Sequence, residues 1–420
     1  MANPKRKNSG RRPHHHAQRA CGESSERVER RAIICLGPGG VGKTTCAAAI
    51  ALQTAQNGRR TLVCTLDPAR RLATSLGLSA LPETPRALPA VHLENAGLPR
   101  DLPLQAMRMD VEAAFQRTLD RECPDTRLAQ SIRKNRLFRQ LIGDLDGVQA
   151  YAAIAQLLEL EESTDWDVLV LDTPPTRHFK NLLTAPDKIL GALRSPFYRF
   201  LLAPGWTAKA GLSLARFSHN RLVQRIAKIV GVEFLAQMSE LIGLMGALNE
   251  QIGARARQAD RFFRSRQVGY VVISSPTLGR CEEALELACE LKNSGMQVIA
   301  AVLNRVHPVP PPGWTRPSHK ELCALLRKNP LLKNLSEDVC RKLAAHLLRI
   351  HRTYMALAEN EHTGIHMMEN KLAARVDVLK IPLLEDDPSD LENLRRLGRW
   401  IKLDFGMHRF LGNGKDSHGL

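Results

Sequence analysis

Ala32-Ile33-Ile34-Cys35-Leu36 runs directly into Gly37-Pro38-Gly39-Gly40-Val41-Gly42-Lys43-Thr44-Thr45, and the helix-forming run Cys46 to Gln56 follows, closed by Asn57-Gly58. The first five residues are continuously apolar, the pattern of a parallel strand buried on both faces. Strand, glycine loop and helix therefore stand in the order a phosphate site needs. The loop fits two templates, because Gly37-x-Gly39-x-x-Gly42 is also a dinucleotide fingerprint. The next two residues decide between them. A dinucleotide site relies on glycines and a helix N-terminus, whereas Gly-x4-Gly-Lys-Thr adds an ammonium for the β- and γ-phosphates and a hydroxyl for Mg2+. The stretch reads as a P-loop. Gly39, Gly40, Val41 and Gly42 turn backbone N–H groups toward an anion and Lys43 neutralises phosphate charge. Thr44 offers a Mg2+ ligand, and Thr45 adds a hydroxyl near the α-phosphate.

Working outward, Arg60 to Leu66 reads as a second strand that delivers Asp67-Pro68-Ala69-Arg70-Arg71 at its C-terminal end. Trp166 to Leu171 does the same for Asp172-Thr173-Pro174-Pro175-Thr176-Arg177. Ligands of open parallel sheets bind outside those ends. An apolar strand ending in Asp is the Walker B arrangement, whose carboxylate holds Mg2+ directly or through water. No Asn-Lys-x-Asp or Thr-Lys-x-Asp segment that would read guanine is present, so ATP is preferred over GTP. The expected fold is a doubly wound α/β domain with a mostly parallel sheet of P-loop NTPase type and a helical insertion subdomain.

Composition agrees with a globular chain. Of 420 residues, 44% are hydrophobic and 25% charged, enough for a large core. No run approaches the ~20 consecutive apolar residues a bilayer requires, and residues 1–30 lack an apolar signal core, so the expected location is cytoplasmic. The nine cysteines form no C-x-x-C pair, which excludes a sequence-evident zinc ribbon and agrees with a reducing compartment. The net charge of +17 is uneven. Residues 1–31 contribute +6 of it, and residues 1–30 are expected to be a disordered basic tail. Such a tail is a possible nucleic-acid or anionic-lipid contact, though nucleic acid is not the favoured partner.

The combination of Gly39-Gly40-Val41-Gly42-Lys43-Thr44-Thr45, Asp67-Pro68-Ala69 and Asp172-Thr173-Pro174-Pro175-Thr176, in that order, resembles the ArsA family. That family includes anion-pump ATPases and the targeting ATPases for tail-anchored membrane proteins. The similarity continues through Val271-Val272-Ile273-Ser274-Ser275-Pro276, a helix over 280–292, Val302-Leu303-Asn304-Arg305-Val306 and Ile381-Pro382-Leu383-Leu384-Glu385-Asp386-Asp387. The resemblance implies Mg2+-dependent ATP hydrolysis that drives a conformational cycle. It implies that Asp67 orients the attacking water, that Asp172 is the metal-linked acid of switch II, and that Asn304 reads adenine. Family members often carry a lysine just before Gly-Gly-Val-Gly-Lys-Thr that crosses a dimer interface; here that residue is Pro38. Arg177, or alternatively Arg70 or Arg71, is the candidate to supply the missing charge.

The ATPase domain is expected over 31–403, with a C-terminal tail over 404–420 and helical insertions over about 101–160 and 183–265. Within 232–245, apolar residues at 234, 235, 238, 241, 242 and 245 share one helical face, suited to an apolar client or to packing within the subdomain. A single P-loop unit with no internal repeat implies a homodimer acting on a protein or membrane-associated client. Two rival readings are a ParA/MinD-like ATP-switched regulator of DNA or membrane, and a chaperone-like carrier of hydrophobic segments.

Overall fold

A computed structural model describes residues 31–67, 70–123, 125–135, 146–174, 176–196, 241–310 apart from 242, 245 and 247, 314–332, 334–372, 376–384 and 390–401. In chain order, β1 (Arg31–Leu36) enters α1 (Lys43–Gln56), and β2 (Thr61–Thr65) is followed by α2 (Arg71–Ser75), β3 (Arg86–Ala87), α3 (Ala90–Asn95) and β4 (Leu104–Arg108). Helices α4 (Val111–Glu122), α5 (Thr126–Lys134) and α6 (Asp146–Glu162) lead to β5 (Val168–Asp172). Next come α7 (Thr176–Arg194), α8 (Asn249–Arg264), β6 (Val268–Ser274), α9 (Leu278–Asn293) and β7 (Val298–Val306). The chain continues through α10 (His319–Lys328), α11 (Glu337–Leu372), β8 (Asp377–Pro382) and α12 (Leu391–Gly398).

The eight strands form one sheet in the order β3-β4-β2-β5-β1-β6-β7-β8. All neighbours run parallel except the short edge pair β3 and β4. Continuous apolar runs make the central strands because both of their faces are covered. Period-2 alternation then sorts them: Ile34, Leu62, Leu169 and Tyr270 pack on one face with Ile154, Phe263 and Ala284. Ile33, Val63, Val170 and Val271 pack on the other with α1 and α12. Helix α1 is buried almost all round. Its alanines at 47, 48, 49, 51 and 55 are small enough to let α12 lie across it through Leu394 and Leu397. A third, smaller core joins Phe115, Ile132, Tyr151, Leu241 and Leu248, so the helices inserted between β4 and β6 have packing of their own.

Two differences from the sequence reading have physical causes. The segment 101–160 is not helical throughout, because Leu104-Gln-Ala-Met-Arg108 is strand β4, paired with β2 in register Val63↔Ala106. Leu, Gln, Ala, Met and Arg are all good helix formers, and tertiary pairing overrides their propensity. Strand β8 also escaped the reading, since an edge strand with half-buried residues and a terminal Pro carries little pattern. Of the apolar face proposed within 232–245, Leu241 is buried in the third core; positions 234, 235, 238, 242 and 245 lie outside the described residues. The tails 1–30 and 402–420 and the segment 197–240 also lie outside them.

Beyond β7 the chain is held to α11. The backbone N–H of His307 donates to Oε2 of Glu361 at 2.9 Å, and its Nδ1 lies 2.6 Å from Oε1. No described helix is long and apolar enough to cross a membrane.

Among the described glycines, the closest approach is where β1 leaves the sheet. A Cβ at Gly37 would collide with the carbonyl oxygen of Ile273 on β6, a backbone atom that has nowhere to go. Gly37→Ala is therefore expected to lower stability by at least about 2 kcal/mol in urea unfolding. A change within experimental error would show that the strand end tolerates displacement.

Candidate nucleotide site

Parallel pairing of β1, β5 and β2 places Cys35, Asp172 and Thr65 in one row at the C-terminal edge of the sheet. The P-loop, the segment after Asp67 and the start of α7 all depart from that row. Gly42 adopts φ 91° and ψ 28° as the N-cap of α1, a left-handed conformation that glycine takes without steric penalty. A side chain there would also collide with the amide of Asn304. Asn304, 6% exposed near the end of β7, donates from Nδ2 to the carbonyl of Val41 at 2.9 Å. A residue far along the chain thus holds the shape of the loop.

Lys43 is 7% exposed, and its ammonium donates to the Pro38 carbonyl at 2.9 Å. Burial lowers its pKa; Asp172 and Asp67 oppose that shift, while Arg71 adds to it. The loop carbonyl is an oxygen that a phosphate would compete with for the same ammonium.

Asp172 has no exposed surface. Burial pushes its carboxyl up to about 6, against the lowering effects of hydrogen bonds from Thr44 and Thr65 and the charge of Lys43. Thr65 donates from Oγ1 to Oδ2 at 2.9 Å and accepts the backbone N–H of Asp67 at 3.1 Å. One hydroxyl therefore joins the two strand-end acids. The other carboxylate oxygen, Oδ1, is buried without a hydrogen-bond partner. A buried charged oxygen in that state is costly unless something positive meets it.

That orphaned oxygen tests the expected metal. Mg2+ prefers oxygen ligands, keeps several waters, and is commonly held by one or two protein oxygens together with substrate phosphates. Asp172 Oδ1 and the Thr44 hydroxyl fit such a demand. No cluster of three or more His, Cys, Asp or Glu suited to a metal occurs among the described residues. A sparse oxygen site of this kind needs none.

Gly39, Gly40, Val41, Gly42, Lys43, Thr44, Thr45, Asp67, Asp172 and Asn304 all lie on segments that meet this edge of the sheet. Arg70 and Arg71 are exposed at the start of α2, and the effect of Arg71 on Lys43 places its charge within reach of the site. Arg177 lies in the first turn of α7, but its side chain is outside the described residues. Two residues at this edge carry no role in the sequence reading. Thr65 is the first, and Thr173, whose hydroxyl donates to the carbonyl of Cys35 at 2.7 Å, is the second. Their signal was a polar residue ending, or directly following, a strand buried along its whole length.

The raised pKa of Asp172 fixes the sign of a pH effect in the absence of divalent ions and nucleotide. Between the ordinary value of 3.8 and about 6, the folded state keeps a proton that the unfolded state has released. The burden on stability is absent below that window and complete above it. Asp172→Asn is expected to be more stable than the parent at pH 7.5 by on the order of 2 kcal/mol, with the gap closing toward pH 4. Urea unfolding at several pH values measures this, and a variant no more stable at pH 7.5 would contradict the buried-charge description.

Residues 30–376 match the family model described as anion-transporting ATPase, ArsA. ATPase GET3B of Arabidopsis thaliana is 26% identical over 324 residues, covering 74% of this chain and 72% of the plant protein. ATPase GET3C of the same plant is 24% identical over 295 residues, with 67% and 68% covered. ATPase ARSA1 of Chlamydomonas reinhardtii is 24% identical over 311 residues. That alignment takes in 68% of this chain but only 36% of the algal protein, so the chain spans about a third of that relative's length. The family model leaves little outside it but the first 29 and last 44 residues, and the chain belongs to the ArsA family of P-loop ATPases.

Proposed function

We propose that the chain binds ATP with Mg2+ at the C-terminal edge of its sheet and hydrolyses it to drive a conformational cycle, as a homodimer in the cytoplasm. The observation that carries this reading is the buried Asp172, with one unpartnered oxygen beside the P-loop lysine and threonine. When bound, Mg2+ supplies positive charge to the β- and γ-phosphates. The chain's own residues do the rest. Backbone N–H groups of Gly39 to Thr45 receive phosphate oxygens, and Lys43 exchanges the Pro38 carbonyl for them. Asp67, half-buried and held through its N–H to Thr65, orients a water for in-line attack. Asn304 reads adenine from the position where its amide supports Val41. No covalent intermediate is required, because positioning and electrostatic stabilisation carry phosphoryl transfer.

Pro38 supplies neither a charge nor an N–H, so charge from a second copy does not come from that position. We assign the role to a guanidinium, Arg177 first and Arg71 second, since the charge of Arg71 already reaches Lys43. The helical insertion, which has its own core around Phe115, Tyr151 and Leu241, is the part we assign to a client of unknown identity, with a carrier of hydrophobic segments as the second reading. ATP-dependent protection of such a segment against proteolysis is the expected behaviour of a carrier.

Three substitutions test the reading by fluorescent-nucleotide binding and phosphate release. Lys43→Ala should abolish ATP binding in a folded protein, and unchanged affinity would remove the P-loop assignment. Asp67→Asn should bind MgATP normally yet lose turnover at least about a hundredfold, as expected of a residue that acts on water. If binding and turnover fell together, Asp67 would hold the metal or the fold instead. Arg177→Ala should reduce turnover about tenfold or more at constant ATP affinity, and parental turnover would pass the role to Arg71.

A further inference from the structure

Helices α10 and α11 form a hairpin anchored just past the end of β7, where His307 bonds Glu361 and Pro308 accepts the Tyr354 hydroxyl, and its outer part reaches beyond those anchors. The imidazole of His319 contacts the carbonyl of Arg341 at 3.0 Å, Arg327 pairs with Glu337 at 3.0 Å, and the Trp314 ring lies tilted against His351 with ring centroids 5.2 Å apart. The two arms therefore run antiparallel. Unlike the rest of the fold, this hairpin has almost no interior. Helix α10 buries no residue, nor does the turn Pro330–Leu332 that follows it. Between Glu337 and Leu357, α11 buries only Cys340 and Ala344.

The sequence of this hairpin is nonetheless apolar. Eight of the twelve large hydrophobic side chains exposed among the described residues fall between Val309 and Leu357. On α11, Leu343, Leu347, Ile350, Tyr354 and Leu357 recur at spacings of four and three, a continuous stripe along one helical face. At the turn, Leu331 is 91% exposed. An apolar surface of this extent on an otherwise well-packed protein marks a contact with something apolar.

Charge identifies the occupant. Residues 314–357 hold nine Lys and Arg against three acids, a net charge of +6. The three acids are used within the hairpin: Glu321 closes the capping box of α10, Glu337 meets Arg327, and Asp338 meets Lys342. Lys320, Lys328, Arg349 and Arg352 stand exposed beside the leucines. A second copy would set +6 against +6, which disfavours self-pairing. The apolar residue at the turn is convex rather than recessed, so it offers no groove in which a peptide helix would lie. A fluid surface with an apolar interior and anionic head groups accepts a protruding leucine and lets Lys and Arg stems reach the head groups.

We propose that the α10–α11 hairpin docks on an anionic membrane surface, with the Leu331 turn entering the outer part of the leaflet. The hairpin turn shares no residue with the nucleotide site. The test is flotation of the full chain with vesicles of 70% phosphatidylcholine and 30% phosphatidylserine, with pure phosphatidylcholine vesicles alongside. The parent should float with the anionic vesicles and not with the neutral ones, and binding should weaken at least tenfold between 50 and 300 mM salt. Leu331→Asp combined with Leu332→Asp should weaken vesicle binding at least tenfold while ATP affinity stays at the parental value. Leu331 is exposed and Leu332 only half-buried, and a circular dichroism melt verifies that the variant folds. Failure of the parent to float, or undiminished binding by the variant, would overturn the proposal; the second result would assign lipid binding to another basic segment. Self-association seen by ultracentrifugation and lost in the variant, without vesicle binding, would assign the face to a second copy and would also overturn it.

Discussion

The buried carboxylate of Asp172 is the constraint around which the nucleotide edge is arranged. It sits in the centre of the sheet, between β1 and β2, where no water reaches it. Thr65, Thr44 and Lys43 offset part of the desolvation, yet its pKa remains raised to about 6 and Oδ1 remains unpartnered. A site relaxed for the ligand-free chain would not be built in this way. Instability stored at one oxygen would become affinity for a cation bound there, because the folded state would gain an interaction the unfolded state lacks.

The surrounding geometry follows from that placement. Thr65 ties the Asp67 backbone to the Asp172 carboxylate, so a change at one strand-end acid is felt at the other. Asn304 supports the P-loop through Val41, and three residues later His307 is bonded to Glu361 of α11. The loop, the sheet and the longest helix are thereby joined by two side-chain contacts and a short piece of β7. Arg305 between them adopts φ 64°, an uncommon backbone state for a non-glycine residue. Strain at that position is consistent with a chain forced to serve both anchors.

What could be read from the sequence was whatever has a period or a fixed spacing. Ile33 to Leu36 and Val168 to Leu171 are apolar without interruption because both faces of a central parallel strand are covered. Gly42-Lys43-Thr44 has its spacing because phosphate geometry dictates it. Strand β4 was legible only as a helix, since Leu104-Gln-Ala-Met-Arg108 takes its conformation from β2 rather than from its own preferences. The partner of Thr65 was hidden for a different reason: it depends on register with Asp172, which is more than a hundred residues away and fixed only when the sheet forms. The unburied hairpin was also hidden, because amphipathic helices look the same in sequence whether or not a neighbour covers them.

The central claim is that Asp172 is a buried acid awaiting a cation. The most direct measurement is the carboxyl carbon shift of Asp172 followed by NMR as a function of pH, with and without Mg2+ and ADP. Without them the carboxyl should titrate near 6. With them the titration should move down by about two pH units or more, because a bound divalent cation stabilises the ionised form. A midpoint that stays where it was when Mg2+ and nucleotide are added would contradict the account.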